Sequence, residues 1–232
     1  MKLIRSLLPF VIAFAALACL NFPLIAAGKN PTAASPDAPD TTLVFNTAWK
    51  GERIQLPPPF APAMKLKGTE EIRFAPGMFD ASSATFFSYA FVFSVSKDQA
   101  LTPDVIQSEI LAYYRGLSEA ILKRKNVDPN ADKFTFKIEQ EKAASDTPEK
   151  VAAAAKAVQY HGELNWTEPF VTAKPQVLHF EIQSWTDPAT SRNYLFVCTS
   201  PKTRGETDET WKELRNIRKT CEVKDAGGNQ TR

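Results

Sequence analysis

The most regular hydrophobic pattern in the chain is the alternation in Ala84–Ser96, which reads ATFFSYAFVFSVS. Large apolar side chains recur at every second position, at Phe87, Tyr89, Phe91, Phe93 and Val95. Side chains point alternately to the two faces of a strand, so these residues are expected to share one face. The residues between them are smaller but barely polar, and aromatic and branched residues favour strands. The pattern therefore predicts a central strand that is covered on both faces.

A change of period after this strand predicts a long helix between residues 102 and 125. Thr102 can cap the first turn, Pro103 suits the first position, and Asp104 suits the positive end of the helix dipole. The cations of Lys123–Lys125 suit the other end. Apolar side chains recur between these ends at helical spacing, at Val105, Ile106, Ile110, Tyr113, Tyr114, Leu117 and Ile121. Gly116 lies inside the helix, where glycine costs about 1 kcal/mol relative to alanine, so it indicates a close packing contact.

The rest of the pattern predicts further strands and a closing helix. The expected strands are Phe134–Glu139, Tyr160–Trp166, Val177–Trp185 and Asn193–Thr199, and the second and third are expected to pair as antiparallel neighbours. Glu206–Thr220 is expected to form the last helix, capped by Thr207 or Asp208, and a short helix is expected at 147–155. Helices inserted among mostly antiparallel strands predict an α+β fold of two layers, with the long helix and the C-terminal helix packed on the sheet.

The N-terminal segment has the pattern of an export signal. Lys2 and Arg5 precede an uncharged, mostly apolar run of residues 6–27. A basic start, an apolar centre and small residues at the end are typical of a signal peptide, so we expect cleavage between Ala27 and Gly28. Residues 28–40 are rich in Pro, Ala, Ser and Asp and are expected to form a flexible linker. A single domain is then expected at 41–223, followed by a disordered tail at 224–232.

Two other interpretations of the N-terminal segment stay open. Ala16-Leu17-Ala18-Cys19 resembles a bacterial lipoprotein box, which would place a lipid on Cys19. The run is also nearly long enough to remain as an uncleaved membrane anchor, although Pro9, Asn21 and Pro23 weaken it. All three interpretations predict an exported bacterial protein. It is expected to be periplasmic or secreted if the segment is cleaved, and attached to the membrane otherwise.

Removing residues 1–27 changes the charge of the chain. The full chain has 28 Lys and Arg against 26 Asp and Glu, and the segment holds two basic residues and no acidic one. The mature chain is therefore neutral, with 26 residues of each sign. The sequence contains neither a basic domain nor a clustered face of Lys and Arg, so we expect no nucleic-acid partner.

Two cysteines remain once the N-terminal segment is cleaved or lipidated. Cys198 ends an apolar strand, and Cys221 lies in line with the apolar face of the last helix. Disulfides persist in exported compartments, and the end of a strand can meet a helix that packs on it. We therefore predict a Cys198–Cys221 disulfide bond, which for a loop of this size would stabilise the fold by about 3 kcal/mol. The alternative is a pair of buried thiols.

The strongest candidate for chemistry is the polar side of the two paired strands. His161-Gly162-Glu163 and His179-Phe180-Glu181 repeat the pattern H-x-E, and they hold the only two histidines of the chain. Residues two apart share a strand face, so all four polar residues are expected on one side of the sheet. Two imidazoles and two carboxylates can bind zinc or a similar divalent ion. The alternative is the ordinary wet face of an antiparallel sheet, on which simple pairing places the histidines diagonally.

Two loop segments are candidates for docking. Leu56–Pro62 is rich in proline and cannot be a central strand, so it is expected to form a rigid loop over the core, with a docking motif as the alternative. A Pro76-Gly77 turn is followed by Met78 and Phe79, which are expected either to pack or to form the wall of a ligand loop.

The functional expectation follows from these candidates. The sequence contains no convincing nucleophile and no convincing pair of acid and base. We therefore expect a non-catalytic binding or accessory domain of the cell envelope, whose partner is an envelope protein or a small ligand. The first alternative is a metal-assisted hydrolase that uses the His and Glu face. A third interpretation is an accessory subunit that docks through Leu56–Pro62 and the Met78–Phe79 loop.

Overall fold

The computed structural model of the chain describes residues 41–141 and 156–225, all within one compact unit that spans Pro36–Arg232. The strands are β1 (Thr41–Val44), β2 (Lys50–Leu56), β3 (Gly68–Phe74), β4 (Tyr89–Ser96), β5 (Thr135–Gln140), β6 (Val158–Thr167), β7 (Pro175–Asp187), β8 (Arg192–Ser200) and β9 (Glu222–Asp225). The helices are α1 (Pro103–Leu122) and α2 (Glu209–Thr220). The predicted signal segment, Cys19, the cleavage position at 27–28, the linker at 28–40 and the helix at 147–155 lie outside the described residues.

Seven of these strands form one antiparallel sheet in the order β2-β3-β4-β8-β7-β6-β5. β4 lies between β3 and β8, so the prediction of a central strand is confirmed. β6 and β7 pair as predicted, with Tyr160 opposite Ile182. β1 and β9 form a separate two-stranded sheet, in which Leu43 is opposite Val223. This pairing places Lys224 and Asp225 in a strand, although the sequence pattern assigned them to the tail.

The two helices cover opposite faces of the seven-stranded sheet. On β4, Phe91 and Phe93 belong to the apolar cluster that contains Ile106 and Ile110 of α1, which we call the α1-side core. Ala90 and Val92, which point the other way, belong to a second cluster. This second cluster, the α2-side core, contains Trp211, Leu214 and Ile217 of α2. The predicted α+β class and the packing of both helices on the sheet are confirmed, and their opposite placement adds a third layer to the two expected.

The start of β4 and the packing of α1 both reflect local backbone geometry. The strand begins at Tyr89 rather than at the predicted residue 84, and Phe87 just before it has a φ of 48° that no strand residue adopts. Thr102 caps α1 as predicted, since its side chain accepts a hydrogen bond from the Val105 amide. A Cβ atom on Gly116 would lie 2.3 Å from the Phe60 carbonyl oxygen, so the predicted close contact is present.

The proline-rich segment is a packed loop. Leu56 and Ala61 are buried, and Phe60 contacts Tyr113 of α1 with their ring centroids 5.1 Å apart. Farther along, the buried Glu109 carboxylate of α1 accepts hydrogen bonds from the backbone amides of Lys65 and Leu66. The loop is therefore fastened to α1 at Glu109 and Tyr113, on the N-terminal side of Gly116, in line with the expected rigid loop over the core.

The predicted Cys198–Cys221 disulfide bond is not formed in the described structure. Both side chains are buried in the α2-side core, so the sequence pattern placed them in the same cluster correctly. Cys198 Sγ lies 3.4 Å from the Leu214 carbonyl oxygen, and Cys221 is the C-cap of α2 with an extended backbone. A disulfide requires a narrow range of Cβ–S–S–Cβ geometry, which shared burial does not by itself provide.

Candidate functional site

The pairing of β6 with β7 brings the four predicted polar residues to one face. His161 lies opposite Glu181, and Glu163 lies opposite His179. The alternate residues of both strands, such as Leu164 and Phe180, enter the α1-side core, so the four polar residues face α2. The two histidines lie diagonally, as simple pairing predicts. We call these four residues the charged face.

Glu181 is clamped by arginines. Its Oε1 accepts hydrogen bonds from Nη2 and Nε of Arg215 at 2.6 and 3.0 Å. Its Oε2 accepts one from Nη1 of Arg218 at 3.2 Å, and Nε of Arg204 lies 3.6 Å from Oε1. Burial raises the pKa of Glu181, but the hydrogen bond from Arg215 and the charges of Arg218 and Arg204 outweigh it and lower the pKa overall. Glu181 is therefore an anion that joins α2 and its preceding loop to the sheet.

The histidines face other carboxylates. His161 Nε2 lies 3.4 Å from Glu139 and its Nδ1 lies 3.3 Å from Glu141. Glu141 also forms an ion pair with Arg204, which continues the charged face toward Glu181. His179 Nδ1 lies 3.7 Å from Glu163. The result is a row of imidazole, carboxylate and guanidinium groups across the sheet surface rather than a convergence of ligands on one point.

The predicted metal site is not supported by this geometry. Among residues 41–141 and 156–225, no group of three or more His, Cys, Asp or Glu is arranged to hold a metal ion. The oxygens of Glu181 are occupied by guanidinium groups, and a divalent ion would have to displace cations to reach them. The hypothesis that His161, Glu163, His179 and Glu181 bind zinc stays a prediction that this arrangement does not favour.

A different surface stands out at the other end of β6. Phe79 and Val171 have 43% and 42% of their surface exposed, and Phe170 lies beside Phe79 with ring centroids 5.5 Å apart. We call Phe79, Phe170 and Val171 the apolar tip. Phe170 also packs on the fully buried Phe87, with ring centroids 5.8 Å apart, which connects the tip to the α1-side core.

The loop between β6 and β7, which carries Phe170 and Val171, is the second loop of the apolar tip and is held from inside by a buried carboxylate. Glu168 has no exposed surface, and its oxygens accept hydrogen bonds from the backbone amides of Phe170, Val171 and Thr172. Lys125 Nζ donates to the carbonyl oxygens of Pro169 and Phe170, at 2.8 Å in each case. The loop is thus closed by one anion and one cation that satisfy its backbone.

The first loop of the tip, between β3 and β4, carries Phe79 and is closed by hydrogen bonds of its own backbone. The Met78 amide donates to the Ala75 carbonyl oxygen at 3.0 Å, and the Phe87 amide donates to the Met78 carbonyl oxygen at 3.0 Å. Met78 is buried and therefore packs, whereas Phe79 is exposed and is the residue available to contact a ligand. The sequence pattern pointed to Phe79 but not to Glu168, Phe170 or Val171. The signal that could have found them is an acidic residue followed by apolar residues between two prolines, Pro169 and Pro175.

Several exposed cations lie next to the apolar tip. Lys123, Arg124 and Lys125 follow α1 as a 3₁₀ turn without a buried residue, and Lys174 ends the second loop. We call these four residues the basic rim. Lys123 forms an ion pair with Glu119 at 2.8 Å, whereas the ammonium of Lys125 is attached to the tip backbone as described above.

A third group of ionisable residues lies inside the α1-side core. Glu70 on β3 has no exposed surface, and the buried Tyr113, Tyr114 and Tyr89 lie close enough to interact with its carboxyl group. Tyr89 and Tyr114 share a short hydrogen bond between their hydroxyls. Burial raises the pKa of Glu70 well above its ordinary range. This group is closed to solvent, so we consider its effect on the stability of the domain rather than a role in binding.

Comparisons with protein-family models, with curated proteins and with solved structures find no match to this chain. No helix in the described ranges is long and apolar enough to cross a bilayer. The functional argument therefore depends on the arrangement of the chain's own residues.

Proposed function

We propose that the chain is an exported bacterial envelope protein whose folded domain binds a partner without catalysis, through the apolar tip. The observation that carries this proposal is that the tip is exposed and yet held in place from inside. Contiguous exposed apolar side chains on a folded domain mark interaction sites, because leaving them in water is unfavourable. Phe79 and Val171 are exposed on two separate loops, and the half-buried Phe170 contacts Phe79 and precedes Val171 in the chain.

Preorganisation of the tip supports binding. The buried Glu168 carboxylate orders the loop of Phe170 and Val171, and Lys125 fastens the same loop to the end of α1. A surface that is already ordered loses little conformational entropy on association. The backbone amides that donate to the buried Glu168 side chain satisfy it and fix the loop at the same time.

The charged face supports the absence of catalysis in this proposal. Glu181 is held by Arg215 and Arg218, and His161 lies between two carboxylates. A general acid or base acts on a bound substrate, whereas these groups interact with one another and join α2 to the sheet. The alternative of a metal-assisted hydrolase would require Glu181 to leave its arginines, and no observation favours it.

Binding of the purified exported protein to envelope fractions tests the proposal. Soluble periplasmic proteins and membranes are presented separately, and binding is followed by biolayer interferometry. Phe79→Ser and Val171→Ser should each weaken binding about fivefold or more, because each removes apolar contact area from the centre of the surface.

Val158→Ser is the matched control for these variants. Val158 is 39% exposed but lies at the start of β6, whereas the tip follows its end. This variant should bind like the wild-type protein. Full binding by both tip variants, or an equal loss in the control, would overturn the proposal.

The intact mass of the exported protein tests the processing that we propose with it. A chain that begins at Gly28 supports cleavage and a periplasmic or secreted protein. A diacylglyceryl mass on Cys19 supports a lipoprotein, and a full-length mass supports an uncleaved anchor.

A further inference from the structure

We propose that the partner of the apolar tip is a lipid surface, namely the face of a bilayer that contains anionic phospholipids. The inference rests on the proposed function, because it names the partner of that same surface. Three features support it: the exposed side chains of the tip, the internal hydrogen bonds of its backbone, and the cations of the segments that adjoin it in the chain.

Much of the backbone of the tip is hydrogen-bonded within the protein. Amides of Phe170, Val171 and Thr172 donate to the Glu168 carboxylate, and carbonyl oxygens of Pro169 and Phe170 accept from Lys125. In the first loop, the amides of Met78, Asp80 and Phe87 donate to carbonyl oxygens within that loop. A segment that enters the acyl boundary of a bilayer must satisfy its polar backbone internally, since lipid tails offer no hydrogen bonds. A protein partner could supply such bonds, so it would not require this arrangement.

The side chains that the loops present suit the boundary between lipid headgroups and acyl chains. Phe79 and Val171 are the more exposed members of the tip, and Phe170 supports Phe79 from the side. Aromatic and aliphatic side chains of peripheral proteins enter this boundary to a shallow depth, and the affinity increases with the apolar area that is buried.

The basic rim provides charge complementarity for anionic headgroups. Lys125 contacts the backbone of the tip directly, Lys123 and Arg124 precede it in the same exposed turn, and the exposed Lys174 ends the loop of Phe170 and Val171. Acidic residues also lie close along the chain: Asp80 accepts from Ser82, Asp128 accepts from the Asn130 amide, and Glu119 pairs with Lys123, so the excess positive charge is assigned to Arg124, Lys125 and Lys174. Basic residues held close to an anionic membrane surface each strengthen binding, and salt screens the effect.

Vesicle flotation and fluorescence test this inference on the exported protein as isolated. The vesicles contain phosphatidylcholine alone or an equal mixture of phosphatidylcholine and phosphatidylglycerol. The tryptophan emission of Phe79→Trp, after subtraction of the wild-type emission, should shift to the blue when the mixed vesicles are added. The corresponding emission of Val158→Trp should not shift. This readout reports insertion of the tip even if a lipid or an uncleaved anchor attaches the N-terminus to the vesicle.

Charge and apolar variants separate the two contributions to vesicle binding. Val171→Ser should weaken binding to both kinds of vesicle about fivefold. Arg124→Gln and Lys174→Gln should each weaken binding about threefold or more with the mixed vesicles alone, and the loss should disappear at high salt. Lys137→Gln is the control, because Lys137 is equally exposed but lies on β5.

The outcomes distinguish this inference from the proposed function. The absence of a blue shift for Phe79→Trp would overturn the lipid inference. If Phe79→Ser and Val171→Ser then still lose binding to soluble periplasmic proteins, the binding function stands with a protein partner. If the tip variants lose neither vesicle binding nor protein binding, both proposals are overturned.

Discussion

The Glu70→Gln substitution tests how the domain tolerates a carboxylate inside its core. Glu70 is fully buried on β3, and neither of its oxygens has a hydrogen bond of full geometry. Burial raises its pKa well above the ordinary value of 4.5; Tyr113 lowers the pKa in part, and the nearby Glu52 raises it further. The folded state therefore keeps a proton on Glu70 that the unfolded chain releases.

The sign and size of the pH dependence follow from this difference in bound protons. Below the ordinary pKa both states are protonated, and the protonated side chain makes its full contribution to stability. As the pH rises toward the raised pKa, the free energy of unfolding should fall by about 1.4 kcal/mol per pH unit for one proton. Glutamine keeps the shape of protonated glutamate and cannot ionise. Glu70→Gln should therefore remove this slope and make the domain more stable than wild type at neutral pH.

Urea unfolding followed by tryptophan fluorescence measures how the free energy of unfolding depends on pH. The measurements run from about pH 4, near the ordinary pKa of a glutamate, to about pH 8, just above neutrality. Glu71→Gln is the control, since Glu71 is the next residue of β3 but points to the other face and pairs with Arg73 at 3.3 Å. This control should keep the wild-type slope. The reasoning is refuted if Glu70→Gln unfolds with the same dependence on pH as wild type, or if it loses stability equally at every pH.

Three further variants test contacts that organise the fold. Glu168→Ala should destabilise the domain by about 3 kcal/mol and remove hydrogen-exchange protection at Phe170–Thr172, because it deletes a charged acceptor of several backbone amides. Gly116→Ala should cost about 1–3 kcal/mol in thermal unfolding although alanine favours helices, since its Cβ would lie 2.3 Å from the Phe60 carbonyl oxygen. Glu181→Gln should cost about 3–5 kcal/mol at neutral pH, because three arginines lose their common anion. The lowered pKa of Glu181 means that wild type loses this contribution only as the pH falls through the lowered value, so the two proteins should converge in acid.

Two of these variants, Glu168→Ala and Gly116→Ala, have a matched control on the same chain. Glu139→Ala removes a side chain that is 79% exposed and should change stability little. Gly205→Ala places its Cβ 3.9 Å from the nearest atom outside its chain neighbours and should be tolerated. Equal effects of Gly116→Ala and Gly205→Ala would contradict the close contact between α1 and the proline-rich loop. Retained exchange protection in Glu168→Ala would contradict the role of Glu168 in ordering the tip.

The local elements of this fold were predictable from the sequence. The cap at Thr102, the cap at Asp208 and the alternation in β4 depend on neighbours a few residues away, and the structure contains all three. The antiparallel pairing of β6 with β7 was also predictable, because two alternating segments joined by a short connection have one favourable arrangement. The close contact at Gly116 was visible for the same kind of reason, since glycine inside a helix needs an explanation beyond propensity.

The positions of the helices, the contacts of Glu181 and the geometry of the two cysteines were decided only by how the elements pack against one another. An apolar stripe on α2 is satisfied by either face of a sheet that is apolar on both sides, so the sequence could not specify that α2 lies opposite α1. The histidines and glutamates were expected on one face and lie there, but only the position of α2 brings arginines to Glu181. Cys198 and Cys221 share a cluster without forming the predicted bond, because bond geometry depends on side-chain directions. Periodicity and capping are set by a few neighbouring residues, whereas burial of Glu70, closure of the Glu168 loop and exposure of the tip depend on residues far apart in the chain.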